Sequence, residues 1–223
     1  MANLELQDVK KVYGTGSSQY EALTQINFKA NQGETILIVG PSGSGKTTFL
    51  TIAAGLQTPS AGTVKIDDKV LGTMSVKQQS QLRLHKIGFV LQAYNLVPYL
   101  TVQEQFTLVD KVKTANLTAS KFNEMLAILG LTPLLDKYPN QLSGGQQQRV
   151  AIARALYGDP SFILADEPTA SLDTERAIAV MQLFSQLAHL AHKAVIVVTH
   201  DTRLEDYADH VYELVDGVMH RLK

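Results

Sequence analysis

The sequence predicts an α/β fold: a parallel sheet with helical crossovers, preceded by an antiparallel β subdomain and interrupted by a helical section. Three observations predict it. A compact apolar run, Thr35-Ile36-Leu37-Ile38-Val39, enters a glycine-rich loop that leads into a helix-like stretch. Two further strand-length apolar runs, Phe162 to Ala165 and Ala194 to Thr199, flank a segment of helical period. Short alternating stretches fill the N-terminal third, whereas apolar residues of helical period occupy the middle.

Leu4 and Leu6, then Ile26, Phe28 and Ala30, then Val64 and Ile66 alternate with polar residues. That period of two reads as half-buried antiparallel strands. Gly14 to Ser18 reads as a turn or loop between them. Thr47 to Leu56 reads as the helix leaving the glycine loop, stopped near Gly55 and Pro59. From about residue 100 to residue 157 the period becomes helical. Phe122, Met125, Leu126 and Leu129 share one face, with Ser120 as cap and Gly130 as stop. Ala177, Val180, Phe184 and Leu187 mark a later helix, and Val211 to Gly217 reads as a hairpin. No internal repeat or low-complexity tract interrupts the pattern.

The 223 residues are 45% hydrophobic, enough for one sizeable core or two closely joined lobes. A net charge of −1 gives no global reason to expect nucleic acid or an anionic membrane as partner. The absence of cysteine excludes disulfides and thiolate metal sites and fits a reducing cytoplasm. The N-terminus lacks a signal-peptide pattern, and no apolar run approaches the roughly 20 residues of a spanning helix. If the protein serves a membrane process, another chain spans the membrane.

Gly40-Pro41-Ser42-Gly43-Ser44-Gly45-Lys46-Thr47 matches G-x-x-x-x-G-K-[ST] at every fixed position. Such a loop turns successive N–H groups toward phosphate oxygens, and the following helix aims its positive end at the same anion. Lys46 is expected at the β- and γ-phosphates and Thr47 on Mg²⁺, with Thr48 completing the nucleotide contacts. Asp166 and Glu167 follow a buried strand at the carboxyl edge of the sheet. Asp166 is expected to hold Mg²⁺ through water, and Glu167 to polarise or deprotonate the attacking water.

Leu142-Ser143-Gly144-Gly145-Gln146 follows that loop in the same chain. Together they resemble the nucleotide-binding domain of ABC transporters, and the resemblance covers nearly the whole chain. It implies the phosphate-loop ATPase fold, with a catalytic lobe of residues 1–91 and 159–223 and a helical lobe of residues 92–158. It further implies ATP and Mg²⁺ as ligands, adenine stacking on Tyr13, and Gln92 touching Mg²⁺ or the attacking water. His200 is implied at the γ-phosphate, and Ser171-Leu172-Asp173 as a loop joining the two sites of a dimer, with Asp173 in contact. Ser143, Gly144, Gly145 and Gln146 are implied to act in trans, on ATP held by the phosphate loop of a second copy.

The resemblance also implies a permease partner docking near Tyr94 to Thr101, and a peripheral location on the cytoplasmic face of the membrane. Asn95-Leu96-Val97-Pro98 and Tyr138-Pro139-Asn140-Gln141 are similar to the group of lipoprotein-release and macrolide or peptide exporters. Leu96 to Leu100, with Phe106 to Val109, resembles the ATPases of haem-regulated haem exporters. The short segment after the hairpin, ending at Lys223, leaves no room for an appended regulatory domain, which adds weight to export. The alternative is an ATPase that regulates cell-wall enzymes through a membrane partner.

Overall fold

The structure is a computed structural model that describes residues 3–223. Two sheets carry the architecture. Strands β1 (Asn3–Tyr13), β2 (Tyr20–Asn31), β4 (Ala61–Ile66) and β5 (Lys69–Val70) form an antiparallel sheet in the order β2-β1-β4-β5. Leu4 pairs with Ala30 on one side and Ile66 on the other, which puts the expected alternating residues on one inner face. Leu4, Leu6, Ile26, Phe28, Ala30, Val64 and Ile66 are all buried.

The second sheet has the order β10-β9-β3-β8-β7-β6, from β3 (Thr35–Val39), β6 (Ile87–Val90), β7 (Phe162–Asp166), β8 (Ala194–Thr199), β9 (His210–Val215) and β10 (Val218–Arg221). All its pairings are parallel except the β9–β10 hairpin, whose turn is Asp216-Gly217. Every residue of β3, β7 and β8 is buried, so these strands read as continuous apolar runs, as a sheet covered on both faces requires. One face packs against helix α1 (Lys46–Ala53) and the antiparallel sheet, where Ile36, Ile38, Phe49 and Phe28 meet. The other face, through Leu37, Val39, Val195 and Val197, meets α6 (Thr174–Ala191) and the helical section.

That section contains α3 (Val102–Asp110), α4 (Ala119–Ile128) and α5 (Gly144–Tyr157). Phe106, Phe122 and Tyr157 join the three helices, with ring centroids 4.8–5.4 Å apart. Two boundaries differ from expectation. Thr118, not Ser120, is the N-cap residue of α4, because the chain turns helical at Ala119 and leaves Ser120 inside the first turn. Helix α1 ends at Ala53, before Gly55 adopts a φ of 65°, so the exposed Leu56 lies beyond it. The sequence also holds α2 (Val76–Lys86), whose capping box joins Ser75 and Gln78. Its polar composition gives almost no apolar stripe, and only Leu82 is buried.

Candidate functional site

The carboxyl ends of β3 and β7 open on a cavity of about 580 Å³ lined by Ser42, Gly43, Gly45, Lys46, Thr47, Thr48, Gln92, Asp166, Glu167 and His200. These residues are contributed by the glycine loop, α1, the segment after β6, and the ends of β7 and β8. The loop has no room for side chains at two of its glycines. A Cβ on Gly40 would lie 2.1 Å from the Leu214 carbonyl oxygen, and one on Gly45 would lie 2.5 Å from that of Ala22. Gly45 is the N-cap residue of α1 and offers no side-chain cap, so the first N–H groups of the helix are left for an anion. Ser44 Oγ is buried with no hydrogen-bond partner, a second unsatisfied group in the same loop.

Lys46 is buried, and its Nζ donates to the carbonyls of Gly40 and Pro41 at 2.8 Å each. Burial pushes its ammonium below the usual lysine value, partly offset by Glu167 and Asp166. Burial pushes the Asp166 carboxyl up; the Thr47 hydroxyl opposes that shift, and the neighbouring Glu167 adds to it. The buried Asp166 carboxylate and the exposed Thr47 hydroxyl, beside a phosphate cradle, are hard oxygen donors of the kind a divalent cation such as Mg²⁺ takes.

Glu167 has a φ of 48°, a left-handed conformation that a side-chain-bearing residue keeps only when its surroundings enforce it. Thr199 Oγ1 donates to its Oε2 at 3.0 Å, and His200 Nδ1 lies 3.0 Å from its Oε1. Both neighbours come from the end of β8, the strand beside β7. Glu167 is therefore held by two side chains, of which His200 also borders the cavity.

Tyr13, Asp173 and the run Ser143 to Gln146 occupy other surroundings. Tyr13 does not line the cavity: its hydroxyl exchanges hydrogen bonds with the Gln57 amide at 2.7–3.0 Å and lies 3.4 Å from Thr48 Oγ1. Tyr20, 61% exposed, stacks on the Tyr13 ring and lines the cavity beside Ala22. The only sequence signal for Tyr20 was an aromatic at the start of a strand after a glycine-rich turn. Ser143 caps α5, accepting from Gln146 N, while Gln146 accepts from Ser143 N. Ser143, Gly144, Gly145 and Gln146 lie outside the cavity, next to the segment Ser171-Leu172. Asp173 caps α6 and pairs with Arg176 at 2.7 Å.

The family model described as ABC transporter matches residues 23–170, which include the phosphate loop, both carboxylates and the Ser143–Gln146 run. The chain belongs to the ABC transporter ATPase family. It couples ATP hydrolysis to transport. It is 46% identical to the putative hemin import ATP-binding protein HrtA of Staphylococcus haemolyticus, over 96% of this chain and 97% of that protein. To the protein of the same name from Staphylococcus saprophyticus it is 45% identical, over 97% and 98%. Among solved structures it is similar to a dimeric ATP-binding cassette in a post-hydrolysis state bound to ADP and Pi, with TM-score 0.89 and 38% identity over 99% of both chains. No helix among the described residues of this ATPase is long and apolar enough to cross a membrane.

Proposed function

We propose that this ATPase binds ATP with Mg²⁺ in the cavity, pairs head-to-tail with a second copy, and drives a separate permease that exports haem. The observation that carries the ATP site is the convergence of Lys46, Thr47, Gln92, Asp166, Glu167 and His200 on one cavity. The residues Ser143 to Gln146 stand apart from it, as a surface meant for another copy's nucleotide does. The dimeric cassette bound to ADP and Pi supports the pairing.

Lys46 exchanges its two carbonyl partners for β- and γ-phosphate oxygens, and the N–H groups of the loop and of α1 hold the phosphate chain. Thr47 and, through water, Asp166 would hold Mg²⁺, with Gln92 nearby, and the ion would supply charge neutralisation to the phosphate chain. Glu167, fixed by Thr199 and His200, accepts the proton of the attacking water, and His200 donates to the γ-phosphate. Residues 92–158 form the lobe that transmits closure, and the loop Tyr94 to Thr101 is its docking surface. Tyr99, 77% exposed at the tip of that loop, offers an apolar contact for a permease helix. The protein thereby sits on the cytoplasmic face of the membrane.

Haem as cargo is supported by the names of the staphylococcal relatives. Those names say import; export is our reading, from the likeness of the Asn95 to Pro98 loop to exporters. The test uses tagged Glu167→Gln protein expressed in its native host, trapped with ATP and Mg²⁺, and purified from solubilised membranes. The expected results are co-purification of a permease, haem-stimulated ATPase activity in the complex of that permease with the parent protein, and faster haem loss from preloaded cells carrying the parent complex. Haem gain instead would reverse the direction, and a partner bound to wall hydrolases would move the protein to the regulatory class.

A further inference from the structure

Helix α5, called the signature helix for the Ser143 to Gln146 run that opens it, does more than present its N-terminus. Gln148, on α5, is 2% exposed, and both ends of its carboxamide are used. Nε2 donates to the Glu167 carbonyl at 3.1 Å, and Oε1 accepts from Ser171 N at 3.2 Å. The orientation of the amide is unambiguous, because a carbonyl faces one end and an N–H faces the other. One side chain thus spans the turn from Glu167 to Ser171.

Within the turn itself the backbone makes two hydrogen bonds, Leu172 N to the Thr169 carbonyl at 3.0 Å and Ala170 N to the Glu167 carbonyl at 3.3 Å. Glu167 N donates to the Val198 carbonyl at 2.9 Å. The left-handed φ of Glu167 is a conformation that a side-chain-bearing residue keeps only when its surroundings enforce it. The segment also packs flush against α5: a Cβ on Gly145 would lie 3.3 Å from the Ser171 carbonyl oxygen and 3.0 Å from Leu172 Cδ2. On the far side, the Tyr94 and Ser171 hydroxyls lie 2.6 Å apart.

We propose that Gln148 is a positioning residue: its carboxamide ties the backbone of Glu167 and Ser171 to the signature helix, so that the direction of the Glu167 carboxylate depends on where α5 sits. This rests on the reading of Glu167 as the base. It gives α5 two duties, its N-terminus facing the second copy's nucleotide and its buried face setting the base of its own site. Movement of the helix on dimer closure is then felt directly at Glu167.

Two variants of the purified protein test it, with Glu167→Gln as control, all read by kcat and KM for MgATP. Gln148→Leu removes both hydrogen bonds at similar volume. The expected result is a fall in kcat of about tenfold with KM within about twofold. In Gln148→Glu, the introduced carboxyl still accepts from Ser171 N but donates to the Glu167 carbonyl only when protonated. Its kcat relative to the parent is therefore expected to rise as pH falls from about 8 to about 6. That profile also decides the matter if Gln148→Leu does not fold. Parental kcat in Gln148→Leu, a parallel loss of kcat and nucleotide affinity, or a flat kcat ratio in Gln148→Glu would overturn the proposal. Parental turnover by Glu167→Gln is the distinct outcome that removes the base beneath it.

Discussion

The Thr199 hydroxyl donates to Glu167 Oε2 at 3.0 Å from the last position of a fully buried strand. The register of β7 against β8 places the two residues side by side, so the sheet itself aims the carboxylate. Thr199→Val keeps the shape and removes the bond. ATPase assays of that variant should show kcat lowered roughly tenfold, as expected for one hydrogen bond to a charged group, with ATP affinity unchanged.

Replacing Glu167, the proposed base, should have a larger effect than loosening it. Glu167→Gln keeps the size of the side chain but cannot take the proton, and general-base catalysis supplies about 10²–10⁴ in rate. Single-turnover hydrolysis should fall by at least about a hundredfold, while gel filtration with ATP and Mg²⁺ shows the dimer accumulating. Lys46→Ala should do the opposite and lose nucleotide binding itself. Its effect is read by equilibrium dialysis.

Adenine stacking, which the resemblance implies for Tyr13, has a second candidate in Tyr20. Their rings stack with centroids 5.5 Å apart, and the ammonium of Lys11 lies 5.2 Å from the Tyr13 centroid. The more exposed ring, and the one on the cavity wall, is Tyr20. Tyr20→Ala is therefore expected to weaken ATP binding by about 1 kcal/mol, the worth of one aromatic stacking contact. Titration with a fluorescent ATP analogue checks this. Equal affinity in Tyr20→Ala and the parent, with a loss confined to Tyr13→Ala, returns the base to Tyr13.

The residues that meet at the cavity were legible because their pattern is local in the chain. A glycine loop after an apolar strand, and two acids after another, needed only the parallel sheet to bring them together. What stayed hidden depends on side chains that bridge distant segments. Gln148 looks like one more polar residue in Gln146-Gln147-Gln148, and its role appears only when α5 is laid against the turn after β7. Tyr20 is separated from the loop it serves by most of two strands. Helix α2 escaped notice because capping and a single buried leucine, rather than an apolar stripe, define it.

Lys113 is equally opaque in sequence. The side chain is buried after α3, and its ammonium donates to the Gly158 carbonyl at the end of α5 and, at 3.3 Å, to the His85 carbonyl near the end of α2. Burial pushes its ammonium below the ordinary lysine value, and Asp159 partly offsets this. A positive charge at the negative ends of two helices joins the helical section to the catalytic core. Lys113→Met fills the space yet strands both carbonyls, at a cost of about 2 kcal/mol. Thermal unfolding should then shift down by about 4–8 °C, given the usual size scaling.

Asp209 supplies a pH dependence with a definite sign. Burial alone would push its carboxyl up, but the Thr35 N–H at 2.8 Å and the His189 ring at 3.0 Å more than compensate and hold it below the ordinary carboxylate value. A carboxylate with a depressed folded-state pKa adds stability above its unfolded value near 4, and that stability is lost as pH falls through the folded value. Asp209→Asn should therefore cost about 1 kcal/mol at pH 7, a modest figure because the pair with His189 is half exposed and screened. Urea titrations of parent and variant at a series of pH values measure the difference directly. The two curves should converge as pH falls through the folded-state value, where the parent carboxyl is protonated as well. A gap that persists unchanged to that pH would show that Asp209 acts through packing rather than through its charge.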